Sequence, residues 1–193
     1  AKGKAKTMIV GDYDADGITS TTLLKTTLSK IGLDVAHYIP HRVKEGYGLN
    51  KNILNLAHKN NVKLLITADC GISNNREVEH LRRSNIDVII TDHHEPLGSD
   101  LPAANGIINP KLKGCGYKYR DLAGVGVAYK LCQAVSDEKL FEDLDLVSLG
   151  TIADVVPLTG ENRVIAKEGL IRLSNTKRIG LRALIDSSGI KNK

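Results

Sequence analysis

Acidic and imidazole side chains follow three short apolar runs of the sequence. They are Asp12, Asp14 and Asp16 after residues 8–10, Asp69 after residues 64–66, and Asp92, His93 and His94 after residues 88–90. A helix-like stretch comes after each group, which is typical of the strand–helix steps of a parallel sheet. Ligands bind beyond the carboxyl ends of such strands. We therefore expect these side chains to share one rim, where a bound cation would relieve their mutual repulsion.

The acidic segment at residues 12–17 is the first candidate metal site. In an extended chain, alternating residues point the same way, so at least two of its carboxylates can converge. Oxygen ligands of this kind suit Mg²⁺ or Mn²⁺, although a turn that caps a helix would use the same residue types. The segment also begins like an EF-hand, but the twelfth position counted from Asp12 is Leu23, which offers no carboxylate. A calcium sensor is excluded.

The adjacent histidines are expected to have different tasks. Neighbouring side chains of an extended segment point apart, so one histidine would bind metal while Asp92 orients a histidine through a hydrogen bond. An imidazole ligand broadens the metal preference towards Mn²⁺. A further carboxylate, Asp154, lies in the apolar segment 150–157. Burial there requires it to be paired or metal-bound.

Basic residues in two loops are candidates for substrate contact. Arg42 follows the second predicted strand, where it could meet a phosphate or belong to a solvated loop. Lys118 and Arg120 alternate with tyrosines in the loop 96–120, a mixture that suits single-stranded nucleic acid but could equally form a flexible cover. The formal net charge of +5 is mild and fits either an anionic partner or a plain solvated surface.

The order of the predicted elements indicates an α/β fold with a doubly wound, mostly parallel sheet flanked by helices. Two further strands are predicted at residues 35–39 and 107–108. A first helix capped by Thr19 or Ser20 should end at Gly32, and two more should cover residues 49–60 and 74–84. The C-terminal part should be mainly helical, with helices predicted at residues 122–135, 141–156, 164–173 and 181–185.

Cysteine usage and hydropathy predict a cytoplasmic protein that does not enter a membrane. Cys70, Cys115 and Cys132 are isolated, without the paired spacing of a zinc ribbon or a disulfide framework, which favours a reducing compartment. No apolar run approaches the roughly 18 residues that a membrane span needs, and no secretory signal is recognisable.

Four segments resemble, in order, the motifs of the DHH phosphoesterase superfamily. They are GDYDADGITS at residues 11–20, ADCG at 68–71, TDHH at 91–94 and GTIADVVP at 150–157. The first and fourth, together with LAGVGVA at residues 122–128, are similar to those of the RecJ group of bacterial single-strand-specific exonucleases. Four motifs in order make the resemblance specific, and it spans residues 7–160.

The resemblance implies a phosphodiesterase with two divalent cations, Mn²⁺ or Mg²⁺. It implies a 5′→3′ exonuclease that releases mononucleotides from single-stranded DNA in repair and recombination, with recombination or repair proteins as further partners. The implied metal ligands are Asp12, Asp14, Asp16, Asp69, His93 and Asp154. Asp69 would bridge the cations, and the implied catalytic residues are His94, Asp92 and Asp69.

Two departures from the family pattern affect these expectations. Several members carry a histidine ligand four residues before the first metal-binding aspartate, where this chain has Val10, so either the first metal site is weaker or Asp12 compensates. Enzymes of the RecJ group also carry a further C-terminal domain. Residues 1–160 are therefore expected to be the catalytic core, with residues 161–193 a helical extension towards that domain.

Two other functions remain open from the sequence. One is a small-substrate enzyme of the same superfamily, such as an oligoribonuclease, a cyclic-dinucleotide phosphodiesterase or a pyrophosphatase. The other is a non-catalytic nucleic-acid-binding module, which the retained metal-ligand residues disfavour.

Overall fold

A parallel sheet of five strands forms the centre of the molecule. The computed structural model describes residues 5–98 and 100–189. The strands are β1 (Lys6–Gly11), β2 (Asp34–Tyr38), β3 (Leu64–Ala68), β4 (Asp87–Thr91) and β5 (Gly106–Ile108). Their order is β2-β1-β3-β4-β5, and each neighbouring pair is parallel. The reversal of strand order next to β1 is the switch point at which doubly wound sheets bind ligands.

Helices cover both faces of the sheet. The α-helices of the described residues are α1 (Ala15–Lys30), α2 (Lys51–Lys59), α3 (Asn75–Arg83), α4 (Gly124–Ser136), α5 (Leu144–Ala153), α6 (Gly160–Ser174) and α7 (Ile179–Ser187). Ile9 of β1 packs with Leu24 of α1 and Val125 of α4 on one face. Ile53 of α2 and Leu81 of α3 belong to the core on the other face. The predicted doubly wound α/β fold with a mainly helical C-terminal part is confirmed.

The first helix begins five or six residues earlier than the sequence predicts. Asp14, rather than Thr19 or Ser20, is its N-cap, and its Oδ1 accepts a 2.9 Å hydrogen bond from the Gly17 N–H. A carboxylate at this position satisfies a backbone donor that has no partner within the helix. The expected alternation of carboxylates along an extended segment is therefore wrong, because Asp16 lies inside the helix.

The helix predicted over residues 141–156 is also shorter in the structure. Residues Phe141–Asp143 form a 3₁₀ turn, and α5 ends at Ala153 with Asp154 as its C-cap. Val155 has a left-handed φ of 61°, and the residue before Pro157 is sterically disfavoured in a helix. This early end places Asp154 at a helix terminus, where its side chain is free to turn towards the sheet.

The other boundaries agree with the prediction to within a few residues, except that α6 starts at Gly160 rather than near Val164. Within the described ranges, no helix is long and apolar enough to cross a membrane. Cys70, Cys115 and Cys132 are free thiols. The expected extension 161–193 includes residues 190–193, which lie outside the described residues.

Candidate metal centre

The candidate residues meet at the carboxyl ends of β1, β3 and β4. Backbone pairing continues for one residue beyond each strand. The Asp12 N–H donates to the Ala68 carbonyl at 3.2 Å, and the Asp69 N–H donates to the Thr91 carbonyl at 2.9 Å. The sheet thereby fixes where each acidic loop starts, and it brings together residues that are far apart in the sequence.

Two clusters of ligand atoms that share no residue result, and Asp69, His93 and His94 form a third group that overlaps both. Oxygens of Asp12, Asp14 and Asp69 lie within 4.8 Å of one another, as do the ligand atoms of Asp16, His93 and Asp154. In the second cluster, His93 Nε2 is 3.6 Å from Asp154 Oδ2 and 3.9 Å from Asp16 Oδ2. His93 Nε2 also lies 3.2 Å from Oδ1 of Asp69. Asp69 therefore joins the two clusters, as a bridging carboxylate would.

Asp16 is positioned by a helix from the other half of the chain. Its Oδ2 accepts a 2.6 Å hydrogen bond from the Gly124 N–H, and its Oδ1 accepts a 2.7 Å bond from the Val125 N–H. These are first-turn donors of α4, which have no partner within that helix. The positive end of the α4 dipole also favours a carboxylate there. The start of α4 thus sets the direction of the Asp16 side chain.

Asp69 adopts an unusual backbone conformation, with a left-handed φ of 64°. Aspartate is among the few residues with a Cβ that tolerate this region. Its carboxylate lies directly against Gly124, where an added Cβ would be 2.3 Å from Oδ1 of Asp69. The start of α4 therefore approaches both Asp16 and Asp69, and only a glycine at position 124 permits that approach.

Asp92 holds the second histidine in place. The side chain is fully buried and accepts a 2.7 Å hydrogen bond from Nδ1 of His94 as well as backbone bonds from Ile72, His93 and His94. Burial alone would raise the pKa of Asp92, but the bonds from His94 lower it below the usual value. In turn, the hydrogen bond to Asp92 raises the pKa of His94 to about 9. The imidazole is therefore a cation at neutral pH.

If all the remaining carboxylates were ionised, their negative charge would exceed what their surroundings neutralise. Burial raises the pKa of Asp12, Asp16, Asp69 and Asp154, and the charge of a neighbouring carboxylate adds to the effect. For Asp69 the pKa rises to about 9. Both ring nitrogens of His93 and Oδ1 of Asp69 are buried without a hydrogen-bond partner among the described residues. Unpartnered oxygen and imidazole donors facing a shared space fit divalent cations.

The predicted substrate-contacting residues have different surroundings. The Arg42 guanidinium lies over the Tyr13 ring, 4.6 Å from its centroid, next to the first acidic segment. Arg120 donates a 2.6 Å hydrogen bond to the Lys111 carbonyl within its own loop, whereas Lys118 is exposed. This loop is tied down, because the Tyr119 hydroxyl donates to the Thr159 carbonyl at 2.8 Å. These anchors argue against a flexible cover.

Two residues at the centre were not predicted from the sequence. Tyr47 places its hydroxyl 3.2 Å from Nδ1 of His94, and Gly124 contacts Asp69 as described above. Their local signals were a tyrosine between two glycines and a glycine within LAGVGVA. Neither signal indicates a partner that lies 47 or 55 positions away in the chain.

Comparison with known proteins agrees with the geometry. The model of the DHH family, N-terminal domain, matches residues 6–151. The single-stranded-DNA-specific exonuclease RecJ of Bacillus subtilis (strain 168) is 50% identical over 184 residues, which cover 95% of this chain and 23% of that protein. RecJ of Escherichia coli (strain K12) is 43% identical over 196 residues, covering 93% of this chain and 34% of that protein.

A solved structure shares the same architecture. The crystal structure of exonuclease RecJ bound to manganese matches with a TM-score of 0.88 and 39% sequence identity, covering 98% of this chain and 49% of that chain. The chain thus spans about a quarter to a third of the length of these RecJ sequences and about half of the solved chain.

Proposed function

Because the chain belongs to the DHH family, as its four motifs predict, we propose that it is the catalytic core of a metal-dependent phosphodiesterase. Its proposed activity is 5′→3′ exonucleolytic degradation of single-stranded DNA to mononucleotides. The observation that carries the proposal is the pair of ligand clusters joined by Asp69 at the switch point of the sheet. The names of the RecJ relatives supply the substrate class and the reaction.

Two divalent cations, Mn²⁺ or Mg²⁺, are the proposed cofactors. Asp12, Asp14 and Asp69 would hold one, and Asp16, His93 and Asp154 would hold the other, with Asp69 facing both. Such cations lower the pKa of a bound water and stabilise the charge of a phosphate undergoing in-line displacement. Val10, at the position where several family members carry a histidine, is fully buried in the sheet. Asp12 is therefore the proposed substitute ligand.

His94 and Arg42 are proposed to act on the substrate. His94 is half exposed and its Nδ1 is held by Asp92, so Nε2 of the protonated ring can donate a proton or a hydrogen bond to a phosphate oxygen. Asp92 orients that ring, because its bond to Nδ1 leaves Nε2 as the nitrogen that can face a ligand. Arg42 is the proposed anchor for a further phosphate. Lys118 and Arg120 remain proposed contacts on the opposite loop.

The domain organisation, the localisation and the partner proteins are also proposals. Residues 1–160 would form the catalytic core and residues 161–193 a helical extension of it. The free cysteines suit the cytoplasm. Proteins of DNA recombination and repair are the proposed partners.

The activity can be tested with single-stranded DNA labelled at either end and incubated with Mn²⁺. We expect stepwise release of mononucleotides from the 5′ end and none in the Asp154→Asn variant, which excludes a contaminating nuclease. Dinucleotides and cyclic dinucleotides serve as competing substrates. Cleavage of these alone would replace the proposal by the small-substrate alternative, and DNA binding without any cleavage would indicate the non-catalytic module.

The metal-free protein should lose stability as the pH rises from about 5 to 8. The raised pKa values of Asp16, Asp69 and Asp154 mean that the folded protein binds more protons than the unfolded chain above the ordinary value of 3.8. Their stabilising contribution is complete below that value and disappears as the pH rises through the folded pKa. Cations replace the protons, so millimolar Mg²⁺ should raise the melting temperature more at pH 8 than at pH 5. Thermal unfolding with and without Mg²⁺ measures both effects, and an equal shift at the two pH values would contradict the prediction.

A further inference from the structure

Tyr47 reaches the centre from the loop between β2 and α2. Its hydroxyl lies 3.2 Å from Nδ1 of His94 and donates a long, 3.4 Å hydrogen bond to the backbone carbonyl of Asp69. Its ring also stands edge-on to the His94 imidazole, with 5.8 Å between the ring centroids. The Tyr47 side chain thus contacts His94, the proposed proton donor, and the backbone of Asp69, whose carboxylate joins the two clusters.

The direction of these hydrogen bonds follows from the partners of His94. Nδ1 of His94 carries a proton that it donates to Asp92 at 2.7 Å, so this nitrogen cannot accept a proton from Tyr47. The Tyr47 proton is therefore directed to the Asp69 carbonyl, and the phenol oxygen is a second, more distant acceptor beside the single Nδ1 proton that Asp92 holds. This arrangement fixes the ring of His94 from two sides.

The contact to Asp69 supports an uncommon backbone conformation. Aspartate tolerates a left-handed φ better than most residues with a Cβ, and contacts to the backbone on both sides maintain that conformation here. Here the Asp69 N–H is held by the Thr91 carbonyl and the Asp69 carbonyl by Tyr47. Since the left-handed φ directs the Asp69 side chain towards His93, the hydroxyl acts on the position of the carboxylate.

The loop that carries Tyr47 is anchored on both sides. Before it, the Glu45 carboxylate accepts hydrogen bonds from the Tyr38 hydroxyl at 2.7 Å and from the His41 N–H at 2.8 Å. After it, the Asn74 amide pairs with the N–H and the carbonyl of Leu49, at 3.1 and 3.3 Å. These bonds hold the loop on both sides of Tyr47 and thereby limit the positions that its side chain can adopt.

We propose that Tyr47 is a positioning residue whose hydroxyl holds the His94 ring and the Asp69 backbone in their working arrangement. The catalytic part of this inference rests on the proposed function. Although Tyr47 is 45% exposed, desolvation of its hydroxyl beside the centre and the surrounding acidic groups raise its pKa above the ordinary value, so the phenol stays protonated and acts as a hydrogen-bond donor. It takes no proton from the substrate.

The Tyr47→Phe variant tests this role, because it keeps the ring and removes only the hydroxyl. Tyr129→Phe is the matched control, since the Tyr129 hydroxyl also donates to a backbone carbonyl, that of Lys139 at 2.8 Å, away from the centre. We expect Tyr47→Phe to lower kcat on single-stranded DNA by about 10- to 100-fold, as losses of supporting hydrogen bonds at metal centres do. KM should change by less than about twofold, and the control should match the wild type.

A second measurement uses the metal-free protein and does not depend on activity. Long-range proton–nitrogen correlation spectra report the ring nitrogens of His94, which are assigned by comparison with a His94→Gln variant. We expect the His94 signals to shift or broaden in Tyr47→Phe and to stay unchanged in Tyr129→Phe.

The two measurements separate failure of this inference from failure of the proposed function. Unchanged His94 signals in Tyr47→Phe would overturn the positioning role, whether or not kcat falls. A wild-type protein without nuclease activity would refute the proposed function, while a shift of the His94 signals would still support the structural role of Tyr47. An equal loss of kcat in both tyrosine variants would also overturn the assignment.

Discussion

The Asp69→Asn substitution should lower kcat on single-stranded DNA by about 1,000-fold or more while the fold is retained. Asp69 belongs to the cluster with Asp12 and Asp14 and lies 3.2 Å from His93 of the other cluster, so its replacement weakens both proposed cation sites. Loss of several kcal/mol of charge stabilisation corresponds to about tenfold in rate for each 1.4 kcal/mol. Initial rates with Mn²⁺, measured beside the wild type, give the comparison.

The same substitution should stabilise the metal-free protein. Asp69 is buried, its Oδ1 has no hydrogen-bond partner among the described residues, and burial raises its pKa to about 9. Asparagine does not ionise, so the unfolded variant loses the proton release that favours unfolding of the wild type at neutral pH, and it tolerates the left-handed backbone as well as aspartate does. A gain of about 1 to 3 kcal/mol in the free energy of unfolding would raise the melting temperature by roughly 2 to 10 °C.

Asp69→Ala provides the control for the backbone. It removes the same carboxylate and should be equally inactive, but alanine is disfavoured at a left-handed φ, so its melting temperature should lie below that of Asp69→Asn. If Asp69→Asn keeps its rate within tenfold of the wild type, Asp69 does not bridge the cations. If the variant melts below the wild type without metal, the buried carboxylate has a favourable partner in the folded protein.

Much of the fold could be predicted because its signals are local. The apolar runs at residues 8–10, 64–66 and 88–90 are buried strands, and the repeated strand–helix order leaves few topologies besides a parallel, doubly wound sheet. Because the carboxyl ends of parallel strands share an edge, the side chains that follow them had to meet there. This rule alone predicts that Asp69 and His93 lie close together.

The parts that could not be predicted depend on contacts between distant segments. The first helix starts at Ala15 because Asp14 caps it, and an Asp-rich loop looks the same in sequence whether its aspartates cap a helix or remain extended. The dependence of Asp16 on the start of α4 spans 108 positions. The contact between Tyr47 and His94 could not be predicted either, since the glycines on both sides of Tyr47 predict a turn but do not indicate a histidine partner.

The Gly124→Ala substitution at the start of α4 should disturb the proposed metal centre. An added Cβ would lie 2.3 Å from Oδ1 and 2.7 Å from Cβ of Asp69, and both distances are too short for any real contact. Either the Asp69 carboxylate or the first turn of α4 must therefore move. The Gly124 N–H also holds Asp16, so a shift of the helix would disturb the second cluster as well. Misplacement by about 1 Å can cost about 100-fold in rate, and we expect a loss of kcat of at least that size.

Gly126→Ala is the matched control, because Gly126 lies two positions further along α4 and does not contact Asp69. Its Cβ would lie 3.2 Å from Cδ2 of Leu122, a buried side chain that would have to move by only a few tenths of an ångström. Alanine also favours a helix more than glycine does. Gly126→Ala should therefore keep kcat within about threefold, with a melting temperature equal to or above that of the wild type. Equal activity of the two alanine variants would show that the carboxylates of Asp69 and Asp16 do not depend on the start of α4. A selective loss in Gly124→Ala, with weaker Mn²⁺ binding by calorimetry, would locate the defect at the carboxylates themselves.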